Sequence, residues 1–129
     1  MHPKIPKWLQ DVADSCDVIL AGCRGQTRET FIQDRLLIAA VERKFEIIGE
    51  ALNRIRKVDV ATAQRIPECR SIIGFRNLLI HGYDSIDYGQ LWQISQTDVS
   101  PLREFVKRLI EEAGPPPEES GGVEMPELP

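Results

Sequence analysis

Cysteine, histidine and aromatic residues are all scarce in this chain of 129 residues, and each scarcity closes off a class of protein. The three cysteines, Cys16, Cys23 and Cys69, are odd in number and make no complete disulfide frame. Cys16 and Cys23 fall on an apolar stripe at helical spacing and read as buried thiols. The two histidines, His2 and His81, stand far apart, so no structural zinc site is expected. No apolar run approaches the ~20 residues of a membrane span, and the opening Met-His-Pro-Lys-Ile-Pro lacks the apolar stretch of a secretion signal. The expected location is the cytoplasm, with no membrane partner. Alternating β-branched stretches and hairpin turns are few, which favours an all-α fold.

What remains suffices for one domain, because 42% of the residues are hydrophobic and can fill one modest core. The formal net charge of −4 is unevenly placed. Four of the twenty acids, Glu118, Glu119, Glu124 and Glu127, stand beyond the last basic residue, Arg108, so residues 1–113 carry 16 acidic and 16 basic groups. From Gly114 onward prolines and glycines interleave with those acids, and residues 114–129 read as a disordered tail with little to bury. Within the neutral body, Arg54, Arg56, Lys57, Arg65, Arg70 and Arg76 face only Asp59 and Glu68 over residues 54–76. That local excess of positive charge suits a phosphate-facing surface, and equally suits scattered charges on solvated helix faces.

Apolar residues from Trp8 to Cys23 recur at three- and four-residue steps behind Pro6, which predicts a first helix closed by Gly22 and Gly25. Thr27 to Thr30 offer caps for a short helical entry around Phe31. The longest helix is expected over about residues 33–56. Its stripe Leu37, Val41, Phe45, Ile48, Leu52 and Ile55 faces a core, while Leu36, Ala40 and Ile47 widen the apolar surface beyond what one small bundle buries. A second copy of the chain would cover that excess, and the small residues Ala39, Ala40, Gly49 and Ala51 would let helices approach closely. Residues 57–67 read as a polar connection with short helical potential, followed by a helix over about 68–81. Ser85 or Asp87 would cap another helix through Leu91, Trp92 and Ile94, and Ser100-Pro101 would open the last one. The fold class is thus an all-α, antiparallel bundle of about five helices over residues 1–113.

Phe75 to Tyr83, Phe-Arg-Asn-Leu-Leu-Ile-His-Gly-Tyr, gathers the groups best suited to chemistry. Arg76 carries a permanent planar cation that matches a phosphate, His81 carries an imidazole able to give or take a proton, and Tyr83 offers a phenolic oxygen. Asn77 and His81 are four apart and share a helical face, so the amide could orient the imidazole or bond a phosphate. Gly82 is expected to stop the helix in a left-handed conformation and turn His81 and Tyr83 toward solvent. A plainer reading has His81 interact with the last carbonyls and Arg76 salt-bridge a neighbour. Glu50 could pair with Arg76 or with Arg54. Tyr83 could instead pack the turn as a half-buried aromatic.

The pattern of Arg76, four residues, His81, one residue and Tyr83 resembles the signature of the HEPN superfamily, and its surroundings resemble the HepT-like branch. Gly49-Glu50-Ala51, Ile72, Gly74-Phe75, Ile86 and Leu91-Trp92 support the likeness, which covers roughly residues 5–112. The resemblance implies a helical homodimer that acts as a metal-independent ribonuclease toxin and needs no cofactor. It implies Arg76 and His81 as catalytic residues with Asn77 in support. It also implies a cognate nucleotidyltransferase antitoxin, in a toxin–antitoxin pair of the type VII kind, that adenylylates Tyr83. A different class stays open beside it: a helical module that binds a nucleotidyltransferase or a nucleotide and catalyses nothing.

Overall fold

The computed structural model describes residues 1–82 and 86–114, and these form seven α-helices and no strand. Five are long: α1 (Ile5–Cys23), α3 (Arg35–Val58), α5 (Cys69–His81), α6 (Tyr88–Thr97) and α7 (Val99–Ala113). Two helices of six residues, α2 (Arg28–Gln33) and α4 (Val60–Arg65), link them where the sequence showed only short helical potential. The expected all-α bundle is therefore what forms. The stretch assigned to a disordered tail falls, apart from Gly114, outside the described residues.

The 24-residue α3 is the central pillar, packed between α1 and α5, while α7 covers the other side of α1. Ile38, Val41, Phe45, Ile48, Leu52 and Ile55 are buried along α3 at three- and four-residue steps, the spacing that keeps one helical stripe inward. Ile5, Leu9, Val12, Cys16 and Ile19 answer from α1, and Val99, Leu102, Val106 and Leu109 from α7. On the α5 side Phe75 meets Phe45 edge-on, with ring centroids 5.5 Å apart. α5 runs antiparallel to α3, since Phe75 lies by Phe45 while Arg70 shares a hollow with Arg56. All three thiols are free and buried, as the helical spacing of Cys16 and Cys23 indicated for those two.

Local signals set several boundaries. Thr27 and Thr30 form a capping box at α2, and Asp34, Asp59 and Asp87 cap α3, α4 and α6 with their carboxylates. Two expectations need correction. Ser100-Pro101 does not open the last helix: α7 begins at Val99, because Val99 is wholly buried with Leu102 and Val106, and Pro101 sits within the first turn where its missing N–H has no partner to lose. Gly22 does not close α1 either. It lies inside the helix against Leu37, and the left-handed residue beyond the end is Gly25, at φ 78°.

The widened apolar surface of α3 divides into two parts. Gly49 and Ala51 are buried inside the chain, whereas Leu36 is 85% exposed and Ala39 and Ala40 are exposed with it.

Candidate active site

The closest helix contact around the motif is made by a glycine. A Cβ added at Gly49 of α3 would stand 2.3 Å from Arg76 Cβ and 2.7 Å from its Cγ, so only hydrogen allows α5 to lie this near. The neighbouring residue completes the clamp. Glu50 accepts a hydrogen bond from Arg76 Nη2 at 2.6 Å through one carboxylate oxygen, and through the other from Arg54 Nε at 2.9 Å. Sequence left Glu50 with a choice of partners, and the fold gives it both. Arg76 Nη1 donates in turn to Asn77 Oδ1 at 3.1 Å. The amide expected either to orient His81 or to bond a phosphate is thus tied by its oxygen to Arg76.

Arg76 Nε has no partner, and it is the one buried side-chain nitrogen or oxygen among the described residues left in that state. Leaving such a group unpaired costs about 1–3 kcal/mol. Its guanidinium opens onto a groove of about 400 Å³ between the start of α1, the middle of α3 and the end of α5, edged by Trp8, Asp11, Ile47 and Ile80. None of these four was singled out from sequence for the site. Trp8 lay on a core stripe and Ile80 beside the motif, and only the packing of three helices turns them into groove walls.

His81 is the last residue of α5 and is exposed. Gly82 ends the helix as expected but not in the left-handed form: its φ is −123°, and its N–H donates to Leu78 O at 2.7 Å. A Cβ there would approach Leu78 Cδ1 to 2.8 Å, so a larger residue would make that side chain shift. His81 lies five positions beyond Arg76, which turns them by roughly 140° about the helix axis. The chain by itself therefore does not bring them onto one face. Tyr83 lies outside the described residues. Among the described residues no cluster of three or more His, Cys, Asp and Glu side chains is disposed to hold a metal ion.

The family model for HepT-like ribonucleases matches residues 12–109, from within α1 to within α7. The chain belongs to the HepT-like ribonuclease family. A protein provisionally named an RNase in Caldanaerobacter subterraneus subsp. tengcongensis is 28% identical over 109 residues, covering 84% of this chain and 96% of that one. Another, so named in Methanocaldococcus jannaschii, is 31% identical over 103 residues, 80% of this chain and 94% of its own. A third relative, provisionally named ribonuclease HepT in Thermococcus cleftensis, is 31% identical and covers 79% of this chain and 92% of its own. No solved structure matches the chain. The HepT-like match contains Arg76, Asn77, His81 and Tyr83 together with Gly49 and Glu50.

Proposed function

We propose that this HepT-like protein is a metal-independent endoribonuclease whose cleft is completed by a second copy of the chain. The observation that carries the reading is Arg76, a permanent cation locked by Glu50 and Asn77 at the edge of an open groove. A cation fixed beforehand stabilises charge that develops in a transition state without spending reorganisation at that moment. Here that charge is the phosphorane formed when the ribose 2′-oxygen attacks the adjacent phosphorus.

The 2′-hydroxyl proton passes to the imidazole of one His81 as the new O–P bond forms. The P–O5′ bond then breaks, and the departing 5′-oxygen takes a proton from the protonated imidazole of the second copy's His81. The products are a 2′,3′-cyclic phosphate and a 5′-hydroxyl. Two copies are needed because Arg76 and His81 of one chain point to different sides of α5, and because Leu36 and Ala40 leave an apolar strip on α3 uncovered. Asn77, its oxygen committed to Arg76, keeps its amide N–H groups for the phosphate.

The same reading makes the protein the toxin of a pair, held in check by a nucleotidyltransferase that adds AMP to Tyr83, one residue past the glycine that follows His81. A nucleotide there would fill the cleft beside the imidazole.

The test is cleavage of mixed cellular RNA in chelator by the wild type, Arg76→Ala and His81→Ala. Loss of about a hundredfold or more is expected in each variant, with 2′,3′-cyclic or 3′-phosphate ends on the wild-type products. A binding module without catalysis would leave RNA intact in all three. Light scattering should give a dimer, and a clean monomer would remove the shared cleft. Coexpression with a nucleotidyltransferase encoded beside this protein should add AMP to the peptide containing Tyr83, and Tyr83→Phe should escape that control.

A further inference from the structure

A second hollow opens on the other side of the motif helix. It measures about 260 Å³ and is lined by Arg56 of α3 and by Arg70, Ile73, Gly74 and Asn77 of α5, with no carboxylate among them. Of the six cations in residues 54–76, Arg54 and Arg76 are taken by Glu50, and Arg65 by Glu112. Arg56, Lys57 and Arg70 pair with no carboxylate among the described residues. Arg56 holds only the neutral Asn53, through Nε at 3.2 Å and Nη2 at 2.8 Å, and so keeps its full charge. Two of these three unpaired cations, Arg56 and Arg70, flank this hollow.

Gly74 forms part of the hollow and has no packing reason to be glycine, since nothing lies within 4 Å of the place a Cβ would take. A glycine inside a helix weakens it. What it offers in exchange is a low floor, over which another backbone can pass close to the helix. Arg70, Gly74, Asn77 and His81 follow one another at steps of four, three and four residues, so they form a single stripe along α5, roughly 16 Å long. The adjoining cavity of about 350 Å³, also edged by Arg56 and Arg70, includes Glu68, so the acid-free path runs toward Asn77 rather than away from it.

We propose that this stripe, with Arg56 beside it, is the track along which one RNA strand lies, its phosphates held by Arg56 and Arg70 and its path crossing Gly74 to reach His81. The proposal rests on the ribonuclease reading for the identity of the strand. Planar guanidinium forks suit phosphate oxygens, and two of them without carboxylate partners attract a polyanion in a manner that salt weakens. The amide N–H groups of Asn77 then receive the strand next to the imidazole.

The experiment measures binding of a fluorescein-labelled oligoribonucleotide of mixed sequence, 2′-O-methylated at every ribose so that it cannot be cleaved, across a series of salt concentrations. Wild type is compared with Arg56→Gln/Arg70→Gln, with Gly74→Leu, and with Arg24→Gln as an exposed cation at the C-terminal cap of α1. The double variant is expected to bind roughly tenfold more weakly, and its salt slope should fall by about 1.4, from about 0.7 per phosphate contact on a single strand. Gly74→Leu should weaken binding with the slope unchanged, and Arg24→Gln should match wild type, with no variant melting below the wild type.

Wild-type binding by the double variant, equal loss in Arg24→Gln, or no binding by the wild type would overturn the track. Loss of binding confined to a nucleotidyltransferase partner, with RNA binding intact, would overturn it as well. Cleavage of unmodified RNA by the wild type is scored separately: a protein that cuts but shows no Arg56 and Arg70 dependence keeps the ribonuclease reading and loses the track. One that binds through both arginines but never cuts keeps the track and loses the nuclease.

Discussion

Toward α3, the motif helix is bound into the fold: Gly49 admits it, Phe75 packs on Phe45, and Arg76 is held by Glu50. On the side that carries Arg70, Gly74, Asn77 and His81, the same helix is exposed at all four positions. A helix needs only one side to be anchored, so the residues of the other side are free of structural duty. Where they nonetheless depart from what a helix prefers, as Gly74 does, the fold supplies no reason and function must. Arg76 stands at the border of the two sides, half-buried against Gly49 and open to the groove.

The sharpest way to break this comparison is to remove the border residue. Arg76→Ala should lower cleavage by about a hundred- to a thousandfold, equivalent to about 2.7–4 kcal/mol of lost transition-state stabilisation, measured as kcat/KM on a short RNA. It should also lower the melting temperature, because Glu50 keeps only Arg54 and the Arg76 stem no longer fills the space by Gly49. Gly49→Ala comes next. The added methyl cannot coexist with Arg76 Cβ at 2.3 Å, so α5 must move, at a cost of about 1–3 kcal/mol in chemical denaturation, and cleavage should fall although no motif residue has changed.

The exposed side should behave in the opposite sense. Gly74→Ala meets no neighbour and should stabilise the protein by up to about 1 kcal/mol, read from the same denaturation curves. His81→Ala should change stability by no more than about 0.5 kcal/mol while abolishing most cleavage. A large loss of stability in His81→Ala would erase the distinction between the two sides. The thiols test the interior. Burial pushes the Cys16 thiol up to about 12 from an ordinary value of 9.0. Between those values the folded chain binds the proton that the unfolded chain releases, so stability should decline as pH rises above about 9.

Much of this arrangement was legible in the sequence because it is governed locally. The stripes of α1 and α3, the capping box at Thr27, the cap at Asp87 and the end of the motif helix at His81 each follow from residues within a turn or two. The misreadings share the opposite cause. Gly22 looks like a helix stop until Leu37 is packed against it, and Ser100 looks like a cap until Val99 is buried. Glu50 has an obvious partner four residues away, and nothing local shows that Arg76, 26 residues on, will take its other oxygen. The groove walls at Trp8 and Ile80 belong to helices that meet only when the bundle closes.

The ion pair between Asp17 of α1 and Arg103 of α7 spans 86 positions of sequence. During synthesis on the ribosome, α1 emerges first, yet its buried stripe has no lid on that side until α7 has followed it. The motif helix, by contrast, is complete thirty-odd residues earlier, with its partner α3 already present. A nascent chain thus holds every residue of the candidate site before it holds the scaffold that keeps them in place. Assembly of a competent site is tied to translation of the last helix, and a chain interrupted inside α7 would carry the motif with an open core.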